Sequence, residues 1–85
     1  MFYVYLLQSI AEPGWTYIGS CDDLRARFKR HSGGQVQSTK ARRPYKLTYY
    51  EAYSEKTDAR KRELELKNSW SKKQELIKRL ENSLK

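Results

Sequence analysis

A chain of 85 residues falls short of the usual domain size of roughly 100–150 residues. It can form one domain, residues 1–85, whose thin core must share side chains with any working surface. Cys21 and His31 are the only residues of their kinds, which excludes a disulfide framework and a zinc-finger cage and fits a reducing compartment. The longest apolar run is N-terminal, short and broken by tyrosines. A signal peptide and a membrane span are therefore not expected, and a cytoplasmic monomer is the default expectation. The net charge of +8 is unevenly spread: eight Lys or Arg and no acid lie between Arg25 and Lys46. Such a stretch attracts a polyanion, although a merely solvated basic surface accounts for the charge equally well.

In chain order, Phe2–Leu7 is rich in β-branched and aromatic residues and is predicted as a strand. Ser9–Gly14, with Pro13-Gly14, reads as a turn, and Trp15–Gly19 as the returning strand, ended by Gly19. A first helix follows. Ser20 and Asp23 resemble a capping box, Leu24 and Phe28 form its buried stripe, Arg27 and His31 share a neighbouring face, and Gly33-Gly34 stops it. Gln35–Arg43 is a basic loop, and Pro44–Tyr53 a third strand. A second helix is expected from Thr57 or Asp58 toward Trp70, with Ala59, Glu63, Leu66 and Trp70 facing inward. A third opens at Ser71, capped with Gln74, and buries Ile77, Leu80 and Leu84; the tail after Leu80 is expected to fray. The fold class is α+β, a central three-stranded antiparallel sheet flanked by helices in the order β-β-α-β-α-α.

Several side chains stand out chemically. Glu63 lies on a stripe whose other members read as buried, and a buried carboxylate needs a partner or a metal; a stripe rotated to leave Glu63 in a surface salt bridge is the blander alternative. Tyr5 and Tyr17 sit on the two arms of the hairpin and can face one another, or simply pack as strand tyrosines do. Arg27 can neutralise a phosphate and His31 can relay a proton, unless both are exposed cations. Trp15, Tyr45, Tyr49, Tyr50 and Tyr53 can stack on bases, but are expected in the core or at its edge.

Taken together, these residues resemble the GIY-YIG endonuclease superfamily, in its short single-domain bacterial, UPF0213-like branch. Tyr3-Val4-Tyr5 stands where that family has its GIY element, and Tyr17-Ile18-Gly19 is a full YIG. Asp23-Leu24, Arg27 and His31 follow as in the family, and Ala59–Lys67 resembles the helix carrying its metal-binding Glu. The match runs over nearly the whole chain. It departs at Tyr3 in place of Gly and at Cys21 in place of a Thr or other small residue. It also departs at Gln74, Glu75 and Leu76, the region in which many family nucleases carry an Asn.

The resemblance implies hydrolysis of phosphodiester bonds in nucleic acid, above all DNA, in repair or recombination. It implies catalytic Tyr5, Tyr17, Arg27, His31 and Glu63, with either tyrosine as the base, and one Mg²⁺ or Mn²⁺ ion on Glu63. Arg25, Lys29, Arg30, Lys40, Arg42 and Arg43 are the expected nucleic-acid contacts. Two alternatives remain: a nucleic-acid-binding module of the same fold with little or no activity, and an interaction domain whose basic face docks on an acidic protein.

Overall fold

The computed structural model describes residues 1–85. Its elements are β1 (Phe2–Ser9), β2 (Thr16–Cys21), α1 (Leu24–Ser32), a short 3-10 turn (Lys40–Arg42), β3 (Tyr45–Tyr53), α2 (Lys56–Asn68) and α3 (Trp70–Arg79). The strands form one antiparallel sheet in the order β2-β1-β3, so the expected architecture holds. Strand β1 pairs on both sides and is the most buried element, because its residues must serve both faces. Val4 and Leu6 point to one face and pack with Ile18, Ala59, Leu66 and Leu76 under α2 and α3. Tyr5 and Leu7 point to the other and pack with Tyr45, Trp15, Tyr17, Leu24 and Phe28 under α1.

A register shift between Leu6 and Leu7 lets β3 carry one extra residue, because Leu6 pairs with Tyr49 and Leu7 with Leu47. The skipped residue, Thr48, donates its hydroxyl to the Leu6 carbonyl at 3.1 Å. This bulge reverses the parity of β3. Tyr49 and Tyr53 belong to the α2 side, whereas Tyr45 belongs to the α1 side. Tyr50 pairs opposite Tyr5 and is 53 % exposed, so its expected place in the core is corrected.

Other local expectations are corrected too. Gly19 does not end β2 but lies inside it, directly opposite Tyr5. A Cβ at Gly19 would stand 2.6 Å from the Tyr5 Cζ, so the missing side chain makes room for the tyrosine. Asp23, not Ser20, caps α1 by accepting from the Ala26 N–H at 3.0 Å. Helix α2 stops at Asn68 because Ser69 is extended and caps α3. Trp70 thus begins α3 and is 77 % exposed instead of continuing the α2 stripe. The C-terminal tail is held down: Leu84 packs on the core, and its carbonyl accepts from Gln8 Nε2 at 2.7 Å.

Gly19→Ala should lower the unfolding free energy by about 1–3 kcal/mol, the usual cost of an overpacked site. Urea titration should show the penalty shrinking in a Tyr5→Leu background, where the clashing ring is gone.

Candidate active site

The α1 face gathers the first part of the site. Tyr5 leaves the centre of β1, Tyr17 the edge strand β2, and His31 the last turn of α1. The rings of Tyr5 and Tyr17 lie 5.7 and 5.2 Å from the His31 ring, and Tyr45 closes the box at 6.3 Å. Tyr5 Oη meets His31 Nε2 at 2.8 Å, and His31 Nδ1 meets Thr39 Oγ1 at 2.7 Å. The Thr39 hydroxyl can donate onward to the Val36 carbonyl. That direction assigns the proton to Nδ1 and makes Nε2 the acceptor of the Tyr5 O–H. The Thr39 carbonyl in turn accepts from Tyr45 Oη at 2.7 Å. His31 is fully buried, not an exposed cation.

Burial, followed by the charges of Arg27 and Arg30, pushes the pKa of His31 below its ordinary value, so the ring is neutral. Burial, reinforced by Tyr17, raises the Tyr5 phenol well above its ordinary value, and Arg27 only partly opposes this. Burial likewise raises the Cys21 thiol against the pull of Arg27. The Arg27 guanidinium is therefore the charge common to Tyr5, Cys21 and His31. It also lines a cavity of about 220 Å³ together with Ser20, Cys21, Asp22, Lys56 and Arg60.

Glu63 lies on the opposite face of the sheet and is buried in α2. Ser20, projecting from β2, donates to Glu63 Oε1 at 2.6 Å, and Lys67 donates to Oε2 at 2.9 Å. Arg60 stands 3.8 Å from Oε1. Burial alone would raise this carboxyl, but the Ser20 and Lys67 hydrogen bonds and the cations outweigh it and hold the pKa below the usual carboxylate range. Thus the surface-salt-bridge alternative holds only for the ion pair itself: the carboxylate is paired with Lys67, yet buried.

The two faces meet around β2. Lys67 Nζ lies 5.6 Å from the centre of the Tyr17 ring, and Ser20 and Arg60 link Glu63 to the Arg27 cavity. Tyr5, Tyr17, Arg27 and His31 are thus brought together, with Glu63 reached across the edge strand. Sequence reasoning missed Ser20, Lys67 and Thr39. Only Lys67 carried a usable signal, a cation one helical turn after Glu63.

Among the expected nucleic-acid contacts, Arg25, Lys29, Arg30, Lys40 and Arg43 are exposed. Arg42 has structural work, pairing with Glu12 at 2.7 Å and covering Trp15 at 4.9 Å; Arg43 lies beside Gly34, whose φ is +75°.

The chain matches the family model described as the GIY-YIG catalytic domain over residues 1–85. It belongs to the GIY-YIG family. It is 41 % identical over 78 residues to a UPF0213 protein of Staphylococcus aureus strain Mu50, a match covering 89 % of this chain and 93 % of the relative. The counterpart in strain N315 matches to the same extent. A UPF0213 protein of Bacillus halodurans, solved by NMR in solution, has a TM-score of 0.57 at 33 % identity and matches 92 % of this chain and 84 % of its own. The chain thus has the fold of the short UPF0213 branch, and the GIY-YIG domain carries nuclease activity as a general property. No helix is long and apolar enough to cross a membrane.

Because His31 is held neutral, the unfolded chain binds more protons than the folded one once pH falls below the ordinary value of 6.5. The stability contributed by neutral His31 should be fully present above that pH and be lost as pH falls toward the folded pKa. Urea midpoints measured at pH 7.5 and 5.5 should fall with acid in the native protein. They should fall less in His31→Gln.

Proposed function

We propose that this GIY-YIG protein is a metal-dependent endonuclease that hydrolyses nucleic-acid, chiefly DNA, phosphodiester bonds. The observation that carries this reading is the ionised, buried Glu63 tied through β2 to Tyr17 and to the Arg27 cavity. The burial of Tyr5 and its bond to His31 divide the work between the two tyrosines. Tyr5 is 1 % exposed and its hydroxyl is committed to His31, so it is a positioning residue. Tyr17 is half-buried at the edge of the sheet and is the base. Its Oη takes the proton of the attacking water. A phenol ordinarily titrates near 10, so a tyrosine base works only beside positive charge. Lys67 Nζ, 5.6 Å from the centre of the Tyr17 ring, is the positive charge beside this base. Arg27 binds the phosphate and stabilises the charge that builds up there. Neutral His31 orients Tyr5 through Nε2.

No three His, Cys, Asp or Glu side chains are grouped, and Glu63 is the buried carboxylate of the site. This fits Mg²⁺ or Mn²⁺, which bind through one or two carboxylates, waters and substrate phosphate and need no protein cage. Glu63 would hold the single ion, whose chemistry is to stabilise the leaving oxygen. Lys67 would have to release Oε2 for this. Exposed Arg25, Lys29, Arg30 and Lys40 would steer DNA to the site, and the binding would be strongly salt-dependent.

The binding-module reading draws on one observation: both Glu63 oxygens are already occupied by chain donors. A cleavage assay separates the two readings. Labelled single-stranded, duplex, nicked and branched DNA should be cut by the native protein with Mg²⁺ or Mn²⁺. Cutting should vanish with EDTA and in Glu63→Ala. Equal salt-dependent binding by both proteins, with no cutting by either, would leave the binding module.

A further inference from the structure

The α1 face holds a second concavity that the proposed active site does not use. It lies between α1 and the edge strand β3, has a volume of about 590 Å³, and is lined by Tyr3, Leu24, Phe28, Leu47 and Tyr50 with Arg25 and Lys29. The bulge at Thr48 creates it, because without the extra residue Leu47 and Tyr50 would fall on opposite faces of β3. Both are exposed. Tyr50 is braced edge-on by Tyr3, with ring centres 5.9 Å apart and planes at 68°. An aromatic side chain held in place by a neighbour but left open to water is ready to stack on a flat partner at little further cost in entropy.

Charge narrows the partner. No carboxylate lines the groove, and its two polar residues are both cations. The occupant is therefore flat and apolar on one side and anionic on the other. An unpaired nucleotide has this character, whereas a duplex keeps its base faces stacked and hidden. Helix α1 sets the geometry: Arg25 and Lys29, four residues apart, border the groove, while Arg27 and His31, also four apart, serve the active site.

We propose that this groove binds an unstacked nucleotide of a single-stranded segment, with the base against Tyr50 and Phe28 and the phosphate on Arg25 or Lys29. This rests on the nucleic-acid reading of the active site and narrows its substrate to DNA with an unpaired stretch. The groove then holds the single strand on one side of α1 while the scissile phosphate lies on the other.

The test is fluorescence anisotropy in EDTA, with cleavage switched off, using labelled oligo(dT) and a blunt-ended duplex of two annealed strands with the same total number of phosphates. Tyr50→Ala should weaken oligo(dT) binding about tenfold and leave the duplex unchanged, and Tyr50→Phe should keep the native affinity. Lys29→Ala should lower the salt slope for oligo(dT) by about one. Unchanged oligo(dT) affinity in Tyr50→Ala would overturn the proposal, as would an equal loss for both ligands. So would a change in sedimentation without a change in oligo(dT) affinity, which would mark the groove as a contact between copies of this chain. The nuclease reading is judged separately: Tyr50→Ala that cuts normally while failing each binding criterion would remove the groove and keep the nuclease.

Discussion

The hydrogen-bonded line from Tyr5 through His31 to Thr39 fixes one strand, one helix and one loop with respect to each other. Tyr5 comes from the centre of the sheet, His31 from the end of α1, and Thr39 from the basic loop. All three are buried, so losing any one would strand polar atoms away from water at a cost of about 1–3 kcal/mol each. The line has room to form only because Gly19 lacks a side chain opposite Tyr5. Its direction leaves His31 neutral and Tyr5 protonated. The same contacts that tie α1 to the sheet thereby keep these two groups from being charged and aim Arg27 at the cavity beside β2.

The edge position of β2 is the second constraint. A central strand has neighbours on both sides and cannot let residues of its two faces reach one another. At the edge, Lys67 from the α2 face approaches the Tyr17 ring from the α1 face, while holding Glu63. Ser20 performs the complementary task from within β2. A carboxylate and a tyrosine that belong to opposite faces of the sheet are thus linked through one lysine. The small core permits this, since a sheet of only three strands has no interior strand beyond β1.

Much of the fold was legible because the strands are short aromatic and β-branched runs set between turn residues, and β1 is apolar on both faces as a central strand must be. The motif residues were legible as types and spacings. Their environments were not. His31 is polar and lies one helical turn from Arg27, so no helical pattern could reveal that the sheet and Thr39 enclose it. Tyr50, expected with the other aromatics in the core or at its edge, is exposed because the bulge at Thr48 sets it beside Leu47 on a part of the sheet that α1 leaves open. Trp70 fell on the extrapolated stripe of α2, but Ser69 adopts an extended conformation and starts a new helix instead. Arg42 looked like a free cation, yet Glu12 and Trp15 engage it through contacts between distant parts of the chain.

The central proposal is that Tyr17 reacts while Tyr5 positions, a division supported by the burial of Tyr5 and the bond of its hydroxyl to His31. The most direct measurement is the single-turnover cleavage rate of Tyr17→Phe and Tyr5→Phe on the same DNA, each folded by circular dichroism and saturated with Mg²⁺. Losing a general base typically costs about 10²–10⁴-fold. Tyr17→Phe should show a loss of that size, and Tyr5→Phe a distinctly smaller one. A Tyr17→Phe protein that cuts at close to the native rate, beside an inactive Tyr5→Phe, would contradict the account.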